Sequence, residues 1–129
     1  MEGKTSIYDS LDGEAGVRAL VQRFYQLMDE LPEARELRLL HPEDLERSAN
    51  SLFMFFSGWF GGPPLYVNER GHPRLRMRHF PFSIGARERD EWLWCMDRAL
   101  DEQEMPHELR EHLRVRFHQL ADHMRNRED

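Results

Sequence analysis

Apolar side chains recur at three- and four-residue spacing along most of the chain, and no segment alternates as a half-buried strand would. From Gly13 or Glu14 onward, Val17, Leu20, Val21, Phe24, Met28 and Leu31 form one helical stripe. Pro32 closes this helix, because the residue before a proline avoids helical geometry. A short helical turn is expected from Glu33 to Leu40, before His41-Pro42 interrupts the chain again. Pro42-Glu43-Asp44 then suits a helix start: proline fits the first turn, and carboxylates favour the positive end of a helix. Leu45, Ala49, Leu52, Phe53, Phe56 and Phe60 make the buried face of that helix, and Gly61-Gly62-Pro63-Pro64 stops it.

The stretch from Leu65 to Ile84 has no sustained period. Gly71, Pro73 and Pro81 limit any helix there to a short one, with Pro73 to His79 the best placed. The stretch also carries Leu65, Tyr66, Leu75, Met77, Phe80 and Phe82, too many apolar groups for a solvated linker, so it should pack on something. A third long helix is expected from Ala86 to Gln103, with Trp92, Met96, Ala99 and Leu100 on one face and Leu93 beside it. A last helix follows, with Pro106 at its first position and Leu109, Leu113, Phe117, Leu120 and Met124 facing inward. The pattern predicts an all-α domain over residues 1–129, with flexible ends at 1–5 and 125–129.

Composition narrows the partners. The 129 residues are 40% hydrophobic and 33% charged, enough apolar content for one core. Eighteen basic residues are interleaved with twenty-four acidic ones, for a net charge of -6. That balance argues against nucleic acid, which needs clustered cations. The longest apolar run, Leu52 to Phe60, is broken by Ser57 and Gly58 and is too short to cross a bilayer. A single cysteine, Cys95, allows no internal disulfide and should pack as a small apolar group. With no apolar signal region at Met1 to Ser6, the expected compartment is the cytoplasm.

The candidate chemistry lies in the histidines. His107, His112, His118 and His123 share the last helix, but no two stand three or four residues apart, so they cannot pair as metal ligands on one face. His72 precedes a proline and suits a turn. His79 differs: it sits in Arg74-Leu75-Arg76-Met77-Arg78-His79-Phe80-Pro81-Phe82, with apolar groups on both sides and cations one and three residues before it. A haem has the matching asymmetry: an apolar macrocycle, two anionic propionates and an iron that takes an imidazole. On composition alone, a structural histidine in a basic, apolar loop is the commoner case.

The ordered blocks around His79 change that balance. Gly61-Gly62-Pro63-Pro64-Leu65-Tyr66 is followed by Gly71-His72-Pro73-Arg74-Leu75-Arg76-Met77-Arg78-His79, then Pro81-Phe82-Ser83-Ile84, then Arg89-Asp90-Glu91-Trp92-Leu93-Trp94-Cys95-Met96. Phe24-Tyr25 and Pro42-Glu43-Asp44-Leu45 lie upstream. With these blocks in this order, the chain resembles the group II truncated haemoglobins from about Ile7 to the last helix. The resemblance implies a two-over-two helical sandwich around haem b. It departs from the family at the first of two Gly-Gly hinges, which here reads Asp12-Gly13.

By the same resemblance, His79 is the proximal iron ligand through a neutral ring nitrogen. Arg76, Arg78 and Tyr66 are expected at the propionates, and Leu65 and Phe82 against the macrocycle. Tyr25, His41 and Trp92 match the distal positions that would donate hydrogen bonds to dioxygen. Ser48 and Leu52 match the distal-helix positions that face the ligand, as a side opening and an apolar wall. Each net hydrogen bond contributes about 0.5–1.5 kcal/mol, so two would slow oxygen release by roughly one to two orders of magnitude. Free imidazole titrates near pH ~6.5, so a donor role for His41 would make oxygen release vary between about pH 5 and 8.

The implied ligands are dioxygen, nitric oxide and carbon monoxide, held by a sensor, store or transport protein with no catalytic residue of its own. An enzyme reading uses the same pocket for nitric oxide dioxygenation or peroxide reduction. It would require an external reductase, because the chain shows no flavin or nicotinamide motif. A haem-free helical interaction module is the third reading. The sequence does not fix an oligomeric state.

Overall fold

The computed structural model describes residues 6–72, 74 and 84–125, and among them it shows seven α-helices and no strand. These are α1 (Ile7–Ser10), α2 (Gly13–Glu30), α3 (Arg35–Leu39), α4 (Glu46–Trp59), α5 (Leu65–Arg70), α6 (Ala86–Glu102) and α7 (His107–His123). A 3₁₀ turn, Pro32–Ala34, leads into α3. The four long helices follow the periodicity of the sequence, and the differences have local causes.

Helix α1 has no periodic signature because it is a single turn. Ser6 caps it, its Oγ accepting the Asp9 N–H at 3.1 Å. Tyr8 then ties it to the far end of α4, its N–H donating to the Phe60 carbonyl at 2.9 Å. The Tyr8 ring lies so close to Gly62 that a Cβ there would fall 2.4 Å from it, so the second Gly-Gly hinge is fixed by close packing. At the first hinge, Asp12 adopts φ +68° and Gly13 φ +63°. Aspartate accepts this left-handed geometry better than most residues, though less readily than glycine.

Helix α4 starts at Glu46 rather than at Pro42. The Arg38 guanidinium accounts for the delay. It donates to the Pro42 carbonyl at 2.9 Å and the Glu43 carbonyl at 2.8 Å, taking both away from a helical ladder. The Asp44 carboxylate accepts the Glu46 N–H at 2.9 Å and opens the helix from there. Helix α5 occupies a stretch expected to be irregular, since six residues between Pro64 and Gly71 are too few to show a period. The short helix expected over Pro73 to His79 lies outside the described residues, apart from Arg74. Pro106 sits one residue before α7, not inside it.

Helix α2 packs on α4 and α6, α6 packs on α7, and α3 bridges α2 and α6. Phe24, Phe56, Phe60, Met96, Leu100, Leu113 and Phe117 fill the centre and are all essentially inaccessible to water. The Phe56 and Phe117 rings meet with centroids 5.4 Å apart, and Phe56 and Phe60 at 5.0 Å. Burying each such ring contributes about 1.5–3 kcal/mol. Cys95 is buried in this core, as its small apolar character predicts.

Candidate functional site

The same helices that close around the phenylalanine core part on one side to leave a cavity of about 420 Å³. That size lies within the range of small-molecule sites, roughly 300–1,000 Å³. Its walls are mostly apolar. Leu52 and Phe55 come from α4, Leu37 from α3, Leu120 and Ala121 from α7, and Ile84 from the segment before α6. Periodicity placed Leu120 and Met124 on the inner face of the last helix; both line this cavity, and Leu120 packs against the core as well.

A small set of polar groups converges on this apolar space. Tyr25 is buried, and its hydroxyl donates to the Ser48 carbonyl at 3.4 Å, a long contact. Burial pushes its phenol well above the ordinary range, so the hydroxyl keeps its proton and stays a donor. The Tyr25 ring meets Phe24 edge-on at 4.9 Å and His41 at 5.9 Å. Nδ1 of His41 lies 2.9 Å from the Leu37 carbonyl. Trp92 is half-buried, with its ring 5.2 Å from Phe24 and 5.9 Å from Phe117. The structure thus brings Tyr25, His41, Ser48, Leu52 and Trp92 to one cavity.

Tyr66 is buried and lines the cavity as well, with the Arg70 guanidinium 5.3 Å from its ring centre. Arg70 also donates to Ser51 Oγ at 2.7 Å, and Ser51 is a lining residue that sequence reasoning missed. Leu65, one residue before Tyr66, is half-buried and packs against the core. His79, Arg76, Arg78 and Phe82 lie outside the described residues. His72 makes the expected turn contact: its Nδ1 accepts the Arg74 N–H at 3.0 Å.

Charged residues for which no role was expected also line the cavity. Glu88 is buried, and its Oε1 accepts the Gly85 N–H at 2.8 Å, which caps α6. Arg89 donates to Asp122 at 2.8 Å and to Asp90 at 3.1 Å. Arg47 on α4 is exposed. Their charge could have marked them as surface positions only; their place at the cavity follows from the way α4, α6 and α7 diverge.

The described residues contain no group of three or more His, Cys, Asp or Glu side chains able to hold a metal ion by themselves. A mostly apolar cavity edged by a few polar side chains suits instead a large apolar ring system that carries its own metal and asks the protein for few ligands. The bacterial-like globin family profile matches residues 6–126 of this chain. The chain belongs to that family.

Within it, the chain is a group II truncated haemoglobin. It is 40% identical over 114 residues to a group 2 truncated hemoglobin of Bacillus subtilis, covering 88% of this chain and 84% of that one. The solved group II 2-on-2 hemoglobin of Agrobacterium tumefaciens is 47% identical, with a TM-score of 0.95 over 98% of both chains. A truncated haemoglobin of Bacillus subtilis described as oxygen-avid is 38% identical, with a TM-score of 0.84 over 95% of this chain and 100% of that one. The fold is therefore the all-α two-on-two globin fold, and the family supports haem-based binding of small diatomic ligands. No helix among the described residues is long and apolar enough to cross a membrane.

Proposed function

We propose that this globin holds one haem b in the cavity bounded by α2, α4, α6 and α7, with His79 as iron ligand, and binds dioxygen reversibly with slow release. The observation that carries the reading is the convergence of Tyr25, His41 and Trp92 on a single apolar-walled cavity. Haem bound there supplies an iron that accepts a diatomic gas. The chain's side chains decide how long that gas stays.

Tyr25 and Trp92 are the donors in this proposal. The Tyr25 hydroxyl keeps its proton because burial disfavours phenolate, and that one proton would turn from the Ser48 carbonyl, a long 3.4 Å contact, to the bound ligand. The Trp92 indole nitrogen can only donate. Two such bonds slow ligand loss by roughly one to two orders of magnitude. The similarity to a Bacillus subtilis globin described as oxygen-avid supports the same direction. Leu52 and Phe55 keep water off the site. Ser48 leaves a small gap in the wall of α4. Arg76, Arg78 and Tyr66 would meet the propionates, with Leu65 and Phe82 against the ring. A buried cysteine thiol suits the reducing cytoplasm, where we place an oxygen carrier or store.

Stopped-flow oxygen release tests the proposal. Tyr25→Phe should speed release about 2- to 12-fold, the worth of one hydrogen bond, and Trp92→Phe should do likewise. Unchanged rates in both variants would overturn the donor assignment. Mixing the oxygenated protein with nitric oxide in the presence of a reductase separates carrier from enzyme. One stoichiometric burst supports the carrier, and sustained turnover would make the protein a dioxygenase instead. Nitric oxide and carbon monoxide should bind at the same place.

A further inference from the structure

A short chain of hydrogen bonds behind the cavity sets what His41 can offer. The Leu37 carbonyl accepts the Leu40 N–H at 3.1 Å and faces His41 Nδ1 at 2.9 Å. A carbonyl oxygen only accepts, so Nδ1 carries the proton. The other ring nitrogen, Nε2, then holds a lone pair whenever His41 is neutral. On the same residue, the Leu37 N–H donates to Glu91 Oε1 at 2.9 Å. Glu91 belongs to α6, one residue before Trp92, and its side chain is 12% exposed. Its other oxygen lies 3.5 Å from Arg87.

This contact joins two elements of unequal stiffness. Helix α6 is seventeen residues long and packs on α2, α3 and α7. Helix α3 has five residues and no side-chain cap of its own. Without Glu91, the Leu37 N–H would be an unsatisfied group at the start of a marginal helix. Glu91 therefore anchors Leu37, the residue whose carbonyl orients His41.

We propose that Glu91 is the positioning residue for His41, fixing it through Leu37 in the Nδ1–H tautomer, so that neutral His41 presents an acceptor rather than a donor to the cavity. The functional consequence rests on the haem reading above: the donors for a diatomic ligand are then Tyr25 and Trp92, and His41 is not a third. The tautomer itself is a property of the folded chain and can be read whether or not haem binds.

The test is ¹⁵N NMR of the histidine ring at about pH 8, where free imidazole is neutral, on the purified haem-loaded protein in its diamagnetic ferrous carbon monoxide form. If no haem loads, the haem reading fails on its own and the same spectrum is taken on the chain as purified. His41, assigned by His41→Phe, should show a protonated Nδ1 and an unprotonated Nε2. Glu91→Ala should lose this pattern to a mixture of tautomers, with faster hydrogen exchange at the Leu37 amide. Glu91→Gln keeps an acceptor oxygen and should restore both. A proton on Nε2 in the wild type would overturn the proposal. So would an unchanged pattern in Glu91→Ala, or Glu91→Gln behaving like Glu91→Ala. Should Glu91→Ala fail to fold, the wild-type and Glu91→Gln spectra still decide.

Discussion

Helices α4, α6 and α7 each carry apolar residues on two sides, and the two sides have opposite fates. On one, Phe56, Phe117 and Met96 interlock with Phe24 and Phe60 and leave water no access. On the other, Leu52, Phe55, Trp92 and Leu120 pack against the core and also line about 420 Å³ of open space. Both sides obey the same helical period. Periodicity reports that a face is covered, not whether protein or a ligand covers it. The distinction comes from the few polar groups mixed into one side: Tyr25, His41 and Ser48 border the cavity, whereas the filled core holds little besides hydrocarbon, aromatic rings and sulfur.

Four measurements press on this contrast. The largest effect should come from haem itself. At a free concentration 1,000 times its dissociation constant, it should stabilise the fold by about 4 kcal/mol, raising Tm by roughly 15 °C for a chain of this size. Calorimetry with and without haem would show it, and an unchanged Tm would mean that the cavity takes no such ligand. Next, truncating the filled side should hurt with or without haem. Phe117→Ala should lower unfolding free energy by about 3–5 kcal/mol in urea titrations. Leu52→Ala, on the cavity side, should cost less than about 1.5 kcal/mol without haem, because the half-buried leucine already borders open space. Equal losses at the two positions would erase the contrast.

A smaller effect belongs to Cys95, which lies on the filled side. Burial pushes its thiol up to about 12, with Glu91 adding to the shift. At neutral pH a disulfide reagent should modify it only as fast as the chain unfolds. Rapid labelling of the native protein would show that this side opens. The smallest effect is at the hinge: Asp12→Gly relieves a side chain held at φ +68° and should stabilise by up to about 1 kcal/mol.

The long helices were legible in the sequence because each repeats its apolar stripe over three or more turns. What was not legible depends on distant partners. Helix α4 begins at Glu46 because Arg38, from the preceding helix, binds the carbonyls of Pro42 and Glu43. Helices α1 and α5 are too short to carry a period. The site was legible only through the ordered family blocks. Taken singly, Tyr25 and Trp92 read as core aromatics. Glu91 stood inside one of those blocks with no role of its own, since a carboxylate on a charged helix looks solvated until the Leu37 N–H is found beside it.

The most direct test of the account is a haem titration of the purified chain, followed in the Soret region, for wild type and His79→Ala. The wild type should saturate at one haem per chain with an intense Soret band. His79→Ala should keep its helical circular dichroism but bind haem weakly and with a shifted band. A wild type that develops no Soret band would contradict the central claim, as would a His79→Ala protein with the wild-type spectrum and affinity.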